Sequence, residues 1–279
     1  MNRRAFVIGH PVAHSRSPLI HGYWLRQHGL DGSYERIDVA PGELPAFLAR
    51  MEADRFVGGN VTVPHKEAAF RLVAERTERA NRLGSVNTLW LENGRLHGDT
   101  TDGEGFLASV AGAVGADWLG GIGVALVLGA GGAARAIVGA LLDAGGSRIR
   151  VANRTEARAR DLAALAPDRV EVVSWAGLPT AMAEADLLVN TTQAGMKGQP
   201  PLSLDLSGLP ARAIVSDIVY VPLETRLLAD ARARGLRTVD GLGMLLHQAV
   251  PGFARWFGVR PEVTAELRAL VEADLGRGA

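Results

Sequence analysis

Cysteine is missing from the 279-residue chain, so neither disulfides nor thiol chemistry are open to it, and a reducing cytoplasm suits it. Net charge is missing as well. Thirty basic and 30 acidic side chains cancel, leaving no excess field to draw the chain to nucleic acid or to a membrane. No stretch reads as a membrane span: the longest uncharged run, WLGGIGVALVLGAGGAA, is glycine-rich and ends in a phosphate-loop pattern. The opening MNRRAFVIGHPVAH begins like a secretion signal, but Gly9, His10 and Pro11 break its apolar run too soon. Soluble and cytoplasmic is therefore the expectation. The seven histidines lack short ligand spacings, and Pro11 and Pro18 interrupt any single helical face in HPVAHSRSPLIH, so no metal site is expected. Lysine is nearly missing too. Of the 30 basic residues only Lys66 and Lys197 are lysine, which raises the question of what position 66 needs that arginine lacks.

What is present describes a globular protein. Hydrophobic residues make up 47% of the chain and charged ones 22%, and the length suggests two domains with a sizeable core. Short apolar runs alternate with longer amphipathic ones, the pattern of an α/β fold with mainly parallel sheets. AFVIG, SYERIDV and RFVGGNVTV read as strands. SPLIHGYWLRQHG reads as a helix capped by Ser17 with Pro18 at its first position, and GELPAFLARMEAD as another. SVNTLWLENGRLHGDT reads as a hairpin turning at ENG. Lys66 sits one turn into a helix after NVTVP. From Asp102 the pattern changes to a helix, a compact βαβ unit and the strands RVEVVSW, ADLLVNTT and AIVSDIVY, followed by terminal helices. The boundary divides residues 1–101 from 102–238, with 239–279 helical.

VALVLGAGGAARA matches the dinucleotide fingerprint, with Gly129, Gly131 and Ala134 in its three small positions. The first allows a tight turn, the second a close approach of backbone to a pyrophosphate, the third close helix–strand packing. A helix N-terminus there offers unpaired N–H groups to phosphate. At the end of the next strand, VANRTEARA has Asn153 where an NAD-selecting protein usually carries an acid. Arg154 adjoins it and Arg158 follows on the helix. A guanidinium fork suits a phosphate, so the expected cofactor is NADP.

Three further stretches hold polar residues at strand ends or turns: Ser15 and Ser17; Asn60, Thr62 and Lys66; Asn87, Asp99 and Asp102. Singly, helix caps and turn residues explain them, Asn60 and Asn87 being ordinary turn formers. Together they suit a pocket for a polyol or hydroxy acid, with hydroxyls and amides on substrate OH groups and a Lys–Asp pair managing one proton. Lysine can release that proton, whereas arginine stays charged.

With those motifs in order, the chain resembles the shikimate dehydrogenase family over almost its full length: VIGHPVAHSRSPLIH, GGNVTVPHKEAA, GSVNTL, GDTTDG, LVLGAGGAARA, NRT, VNTTQAGM and DGLGMLLHQA. The resemblance implies NADPH-dependent reduction of 3-dehydroshikimate to shikimate in aromatic amino-acid biosynthesis. It implies a substrate domain, a Rossmann-type NADP domain and a cleft between them, with the C-terminal helices folded back on the first domain. It implies Lys66 and Asp102 as the catalytic pair, Ser15 and Ser17 on the substrate carboxylate, and Thr62, Asn87, Tyr220 and Gln248 on ring hydroxyls or carboxylate. For the cofactor it implies Gly129, Ala130, Gly131, Gly132 and Ala133 at the pyrophosphate, and Asn153, Arg154, Thr155 and Arg158 at the adenosine phosphate. Thr191, Ile218, Gly241 and Met244 complete that set. Thr100, Ser85 and Arg226 stand where the family more often has asparagine, alanine and proline. Two rivals stay open: a quinate/shikimate dehydrogenase using NAD or NADP, and a sensor that binds NADP without chemistry. A homodimer also stays open. Turnover with NADPH is expected to exceed that with NADH clearly in matched steady-state assays, and comparable rates would remove the reading of Arg154 and Arg158.

Overall fold

The computed structural model describes residues 3–145 and 148–277. They form two compact units, residues 3–101 with Gln248–Arg277, and residues 102–247. The second crossing of the chain falls inside a helix, later than the expected position 239; positions 278 and 279 lie outside the described residues.

The first unit contains β1 (Arg3–Gly9), α1 (Ser17–Gln27), β2 (Gly32–Asp38), α2 (Leu44–Ala49), β3 (Phe56–Val61) and α3 (Lys66–Leu72). β4 (Glu75–Arg76), α4 (Glu78–Leu83), β5 (Thr88–Glu92) and β6 (Arg95–Asp99) follow. Its six strands are ordered β2-β1-β3-β5-β6-β4. β1 runs parallel to β2 and β3, whereas β5 is antiparallel to both β3 and β6. β5 and β6 form the expected hairpin. Asn93 and Gly94 both have positive φ, 52° and 72°, the backbone that a tight two-residue hairpin turn needs. The core is built on Phe6, whose ring meets Phe47 and Phe56 edge-on at 5.0 and 5.1 Å.

The second unit opens with α5 (Asp102–Val114), β7 (Val124–Leu128), α6 (Gly132–Asp143), β8 (Arg148–Ala152), α7 (Glu156–Ala163) and β9 (Val170–Val173). α8 (Leu178–Ala183), β10 (Leu187–Asn190), β11 (Ile214–Asp217), α9 (Arg226–Ala233) and β12 (Arg237–Val239) complete its alternation. The strands are all parallel, in the order β12-β11-β10-β7-β8-β9, which is the doubly wound dinucleotide-binding arrangement with its reversal point between β7 and β10. Period-two alternation splits the strands between two cores. Ala125 and Val127 face one, with Ile137, Leu141 and Val189, while Leu126 and Leu128 face the other, with Leu188, Val215 and Leu228. Each fully buried Leu, Ile or Val contributes about 1.5–3 kcal/mol of transfer free energy.

Two helices end the chain, α10 (Gly241–Phe257) and α11 (Ala265–Arg277). The later part of α10 packs in the first unit, where Trp256 donates its indole N–H to Leu89 O at 2.8 Å. Trp24 donates to Glu262 O at 3.1 Å.

Several local expectations shift. Ser17 does not cap α1; Arg16 holds the cap position, and the Ser15 hydroxyl accepts from Ser17 N–H at 3.3 Å. Lys66 is the first residue of α3, not a turn inside it. Asn60 lies within β3, where the strand reading of RFVGGNVTV put it, and this removes the alternative of a turn residue. The strand expected over 213–220 ends at Asp217, because the Asp217 side chain rather than a neighbouring strand takes the Val219 N–H.

One buried group sets a pH dependence of stability. His21 is wholly buried, stacked on Tyr34 with ring centroids 3.9 Å apart, and neither ring nitrogen has a hydrogen-bond partner of ordinary geometry. Burial pushes its pKa down to about 3, the neighbouring Asn60 amide opposing the drop. The unfolded chain protonates near pH 6.5, before the folded one, so stability is full above that pH and falls toward pH 3 by up to about 1.4 kcal/mol per unit. Denaturant titrations at pH 7 and pH 5 should show the native chain losing about 2 kcal/mol more than His21→Phe. Equal losses would mean that the imidazole is not held neutral.

Candidate active site

Strand register decides which polar residues of the first unit share an edge. β1 and β3 are parallel, with Ile8 opposite Val61, so the serine loop after Gly9 and the Thr62–Lys66 segment emerge at the same edge. Asn60 pairs antiparallel with Thr88, and Thr88 with Asp99, which brings the start of β5 and the end of β6 to that edge as well. Residues from four separate stretches thus line up without any of them being close in sequence.

Backbone bonds tie the row together. Thr62 N–H donates to Ile8 O at 2.9 Å, Val61 N–H to Asn87 O at 2.8 Å and Val86 N–H to Lys66 O at 3.1 Å. His65, buried beside Lys66, holds Val39 O through its ring at 2.7 Å. The serine loop is fixed by Asp38, which pairs with the His10 ring at 2.6 Å and accepts Val12 N–H at 3.3 Å. The His10 hydrogen bond holds the Asp38 carboxyl below its ordinary range.

Behind the row runs a buried polar chain. The Tyr34 hydroxyl donates to Asn60 Oδ1 at 2.6 Å, and Asn60 Nδ2 donates to Asn87 O at 3.2 Å. Asn87 Oδ1 accepts from the Thr88 hydroxyl and from Thr101 N–H, both at 2.9 Å. With both lone pairs used, the amide orientation of Asn87 is settled: Nδ2 turns toward Gln248 Oε1, 3.5 Å away. The Thr101 hydroxyl donates to Gln248 O at 2.8 Å, fixing the backbone of that residue too. Burial and the neighbouring Ser17 and Asn60 act oppositely on Tyr34; burial wins and raises its phenol well above the usual value.

Asp99 plays a different part from its sequence neighbours. Its carboxylate takes Arg79 through two nitrogens at 2.8 and 2.6 Å, the Thr77 hydroxyl at 2.6 Å and Thr100 N–H at 2.7 Å. Burial pushes its pKa up, but these donors more than offset that and hold it below the ordinary value. It anchors the end of β6. Asp102, three residues on, is buried at the start of α5 and belongs to the second unit, as do Tyr220 and the cofactor candidates.

In the second unit the glycine loop joins β7 to α6 at the reversal point of the sheet. Gly129 has φ +108°, and a Cβ there would stand 2.5 Å from Thr191 Oγ1, so the first glycine is required twice over. Thr191, at the end of β10, anchors by donating its hydroxyl and N–H to Leu128 O at 2.7 and 2.8 Å. Ala134 is wholly buried in the core, as the third small position requires. No side chain caps the N-terminus of α6, and Cβ atoms built at Gly131 or Gly132 would meet nothing within 4 Å. That leaves orphan N–H groups facing open space, where a pyrophosphate fits.

At the end of β8, Asn153 donates to Thr155 O at 2.9 Å and shapes the turn into α7. Arg154 and Arg158 are exposed, and among the described residues neither guanidinium has an ion pair; Arg160 by contrast is taken by Glu156 at 2.6 Å. Two uncommitted forks and no carboxylate at this strand end fit a 2′-phosphate. Ile218 and Met244 pack at the rim of one core, and the first turn of α10 crosses Ile218 at Gly241, where any Cβ would collide with Ile218 O. Arg226, in place of a proline, starts α9 and pairs with Asp230 at 2.7 Å.

Sequence reasoning missed Tyr34, Thr88 and Thr101 as members of the polar chain. Only Tyr34 carries a signal, the strand alternation that puts its ring on the buried face of β2; Thr88 begins a strand buried on both faces and Thr101 lies beyond the end of β6.

Comparisons with known proteins agree along the whole chain. A family model described as the shikimate dehydrogenase substrate binding domain matches residues 7–89, one described as shikimate / quinate 5-dehydrogenase matches 123–197, and one described as the shikimate 5′-dehydrogenase C-terminal domain matches 241–270. The chain is 61% identical to a shikimate dehydrogenase (NADP(+)) of Methylocella silvestris, over 98% of its own length and 96% of the relative's. It resembles the crystal structure of Thermus thermophilus shikimate 5-dehydrogenase in complex with NADP(H) and shikimate, at 37% identity and TM-score 0.85, covering 99% and 100% of the two chains. Quinate dehydrogenase from Corynebacterium glutamicum in complex with NAD is similar at 32% identity and TM-score 0.89, covering 98% and 99%. The chain belongs to the shikimate dehydrogenase family.

Proposed function

We propose that this chain interconverts 3-dehydroshikimate and shikimate with NADP as its redox partner, serving aromatic amino-acid biosynthesis. The observation that carries this reading is the polar edge of the first unit, where backbone bonds tie Thr62, Lys66 and Asn87 into one row beside the serine loop. Hydroxyls and amides in that density suit a small polyhydroxylated acid. Ser15 and Ser17 hold its carboxylate with Tyr220, while Thr62, Asn87 and Gln248 hold ring hydroxyls. Because Asn87 Oδ1 is consumed internally, this residue meets substrate only as a donor.

Bound through the α6 N-terminus, Arg154 and Arg158, the nicotinamide cofactor supplies or accepts the hydride at the substrate carbon. Lys66 and Asp102 act on the oxygen of that carbon. In reduction they deliver the proton that turns the carbonyl oxygen into a hydroxyl; in oxidation they remove it. A lysine ammonium can pass a proton to the substrate oxygen and take it back, a role that a guanidinium does not fill, and that answers the question the composition raises. Quinate is the neighbouring substrate. The missing acid after β8 and the two free guanidinium groups favour NADP over NAD, and with it the shikimate reaction.

Lys66→Ala should fold and bind NADPH with unchanged affinity while kcat falls by about 10²–10⁴-fold. Undiminished turnover would remove the lysine from the chemistry. Arg154→Ala combined with Arg158→Ala should raise KM for NADPH at least about tenfold and leave the much weaker NADH reaction unaffected, since each lost fork costs about 1.5–3 kcal/mol. Equal effects on both cofactors would mean that the arginines do not read the 2′-phosphate. Shikimate and quinate assayed side by side with NADP test the substrate assignment; equal turnover would overturn it.

A further inference from the structure

The second unit holds a buried carboxylate to which no role above gives any work. β10 and β11 are parallel neighbours that end in register, Asn190 opposite Asp217, and both side chains are completely buried. Asp217 Oδ1 accepts Asn190 Nδ2–H at 2.9 Å and Val219 N–H at 3.1 Å, and Oδ2 accepts the Thr225 hydroxyl at 2.7 Å. Among the described residues no cation pairs with it. Burial pushes its pKa up, the three donors opposing. An uncompensated carboxylate in such a place is costly, and apolar packing would ordinarily be more stable.

Each partner has its polarity settled by a second contact. Asn190 Oδ1 is filled by the N–H and hydroxyl of Thr192, at 3.0 and 2.7 Å, so its amide can only donate toward Asp217. The Thr225 oxygen accepts Leu228 N–H at 3.4 Å as the cap of α9, so its proton goes to Asp217. The third partner is a backbone N–H. Asp217 therefore faces donors alone, a demand that a carboxylate meets and an amide of the same shape does not.

The groups it joins lie on the two loops that leave the sheet beside the reversal point. Thr191 opens the loop after β10; Ile218 and Tyr220 lie on the loop after β11. Lys197 N–H to Val221 O at 2.9 Å joins the same two loops further out. From the other side Gly241 lets α10 press on Ile218 and Val219. We propose that Asp217 is a positioning residue for hydride transfer: its carboxylate clamps the loops after β10 and β11 into one frame, holding Thr191 and Ile218 in register for the nicotinamide end of the cofactor and Tyr220 for the substrate. The proposal rests on the dehydrogenase reading given above.

The test uses the full-length protein and Asp217→Asn, which keeps shape and places an N–H₂ among donors. Two quantities are read: kcat with shikimate and NADP, and the Kd of adenosine 2′,5′-bisphosphate, which probes the adenosine end alone. The expected result is a kcat at least about tenfold lower with that Kd unchanged, because the clamp is remote from Arg154 and Arg158. Where Asp217→Asn does not fold, Thr225→Val and Thr225→Ser read the same clamp. Thr225→Val should show the same split between kcat and Kd, and Thr225→Ser should restore turnover relative to it. A variant that is only less heat-stable, with native kcat while folded, overturns the proposal, and so does parallel loss of turnover and of bisphosphate binding. Failure of the unmutated chain to oxidise shikimate would instead defeat the dehydrogenase reading, which is a separate outcome.

Discussion

The chemistry of the first unit depends on a reversal of strand direction. Among the described strands of this unit only β5 runs against β1, β3 and β6; were it to follow their course, its start at Thr88, with Asn87 just before it, would lie at the opposite edge from Asn60 and Asp99. A sheet that changes direction partway through brings a strand start, a strand end and two strand-to-helix turns to one edge. The hairpin turn at Asn93 and Gly94 sets that register, because a one-residue slip would flip every side chain of β5 to the other face. Fold and site are linked here by register more than by any single contact.

Hydrogen-bond saturation does the remaining work. Buried amides are ambiguous groups, since oxygen and nitrogen occupy nearly the same shape, and a polar site needs each turned one way. Asn87 is turned by Thr88 and Thr101, and Asn190 by Thr192. Asp99 and Asp217 are both buried carboxylates, but they are satisfied differently. Asp99 has the guanidinium of Arg79 and its pKa falls; Asp217 has only neutral donors and its pKa rises. The first arrangement anchors a strand end, and the second joins two loops.

Much of this was legible in the sequence where the signal is local. The glycine loop after an apolar strand, the hairpin at ENG and the arginines after Asn153 each combine a backbone demand with a residue type that meets it, and the structure has all three elements. Lys66 stood out by composition alone. The unreadable part is non-local. Tyr34 lies 26 positions before Asn60, and Thr101 lies 147 before Gln248, so nothing near either residue announces the bond. Ser17 misled in the opposite way: a serine before a proline looks like a helix cap, but Ser17 is already inside the first turn, Arg16 holds the cap position, and the Ser15 hydroxyl takes the Ser17 N–H. Short elements such as α3 and α4 also escape a periodicity argument, since fewer than two turns show no stripe.

The saturated oxygen of Asn87 has a consequence for mimicry. Its amide turns hydrogens toward any group that meets its nitrogen, so that group must bring a lone pair. An ammonium analogue of a ring hydroxyl, similar in size and richer in charge, would set proton against proton there. Given the substrate role proposed for Asn87, discrimination against a ring bearing an ammonium group would follow from Thr88 and Thr101, whose bonds to Oδ1 set the orientation of the amide.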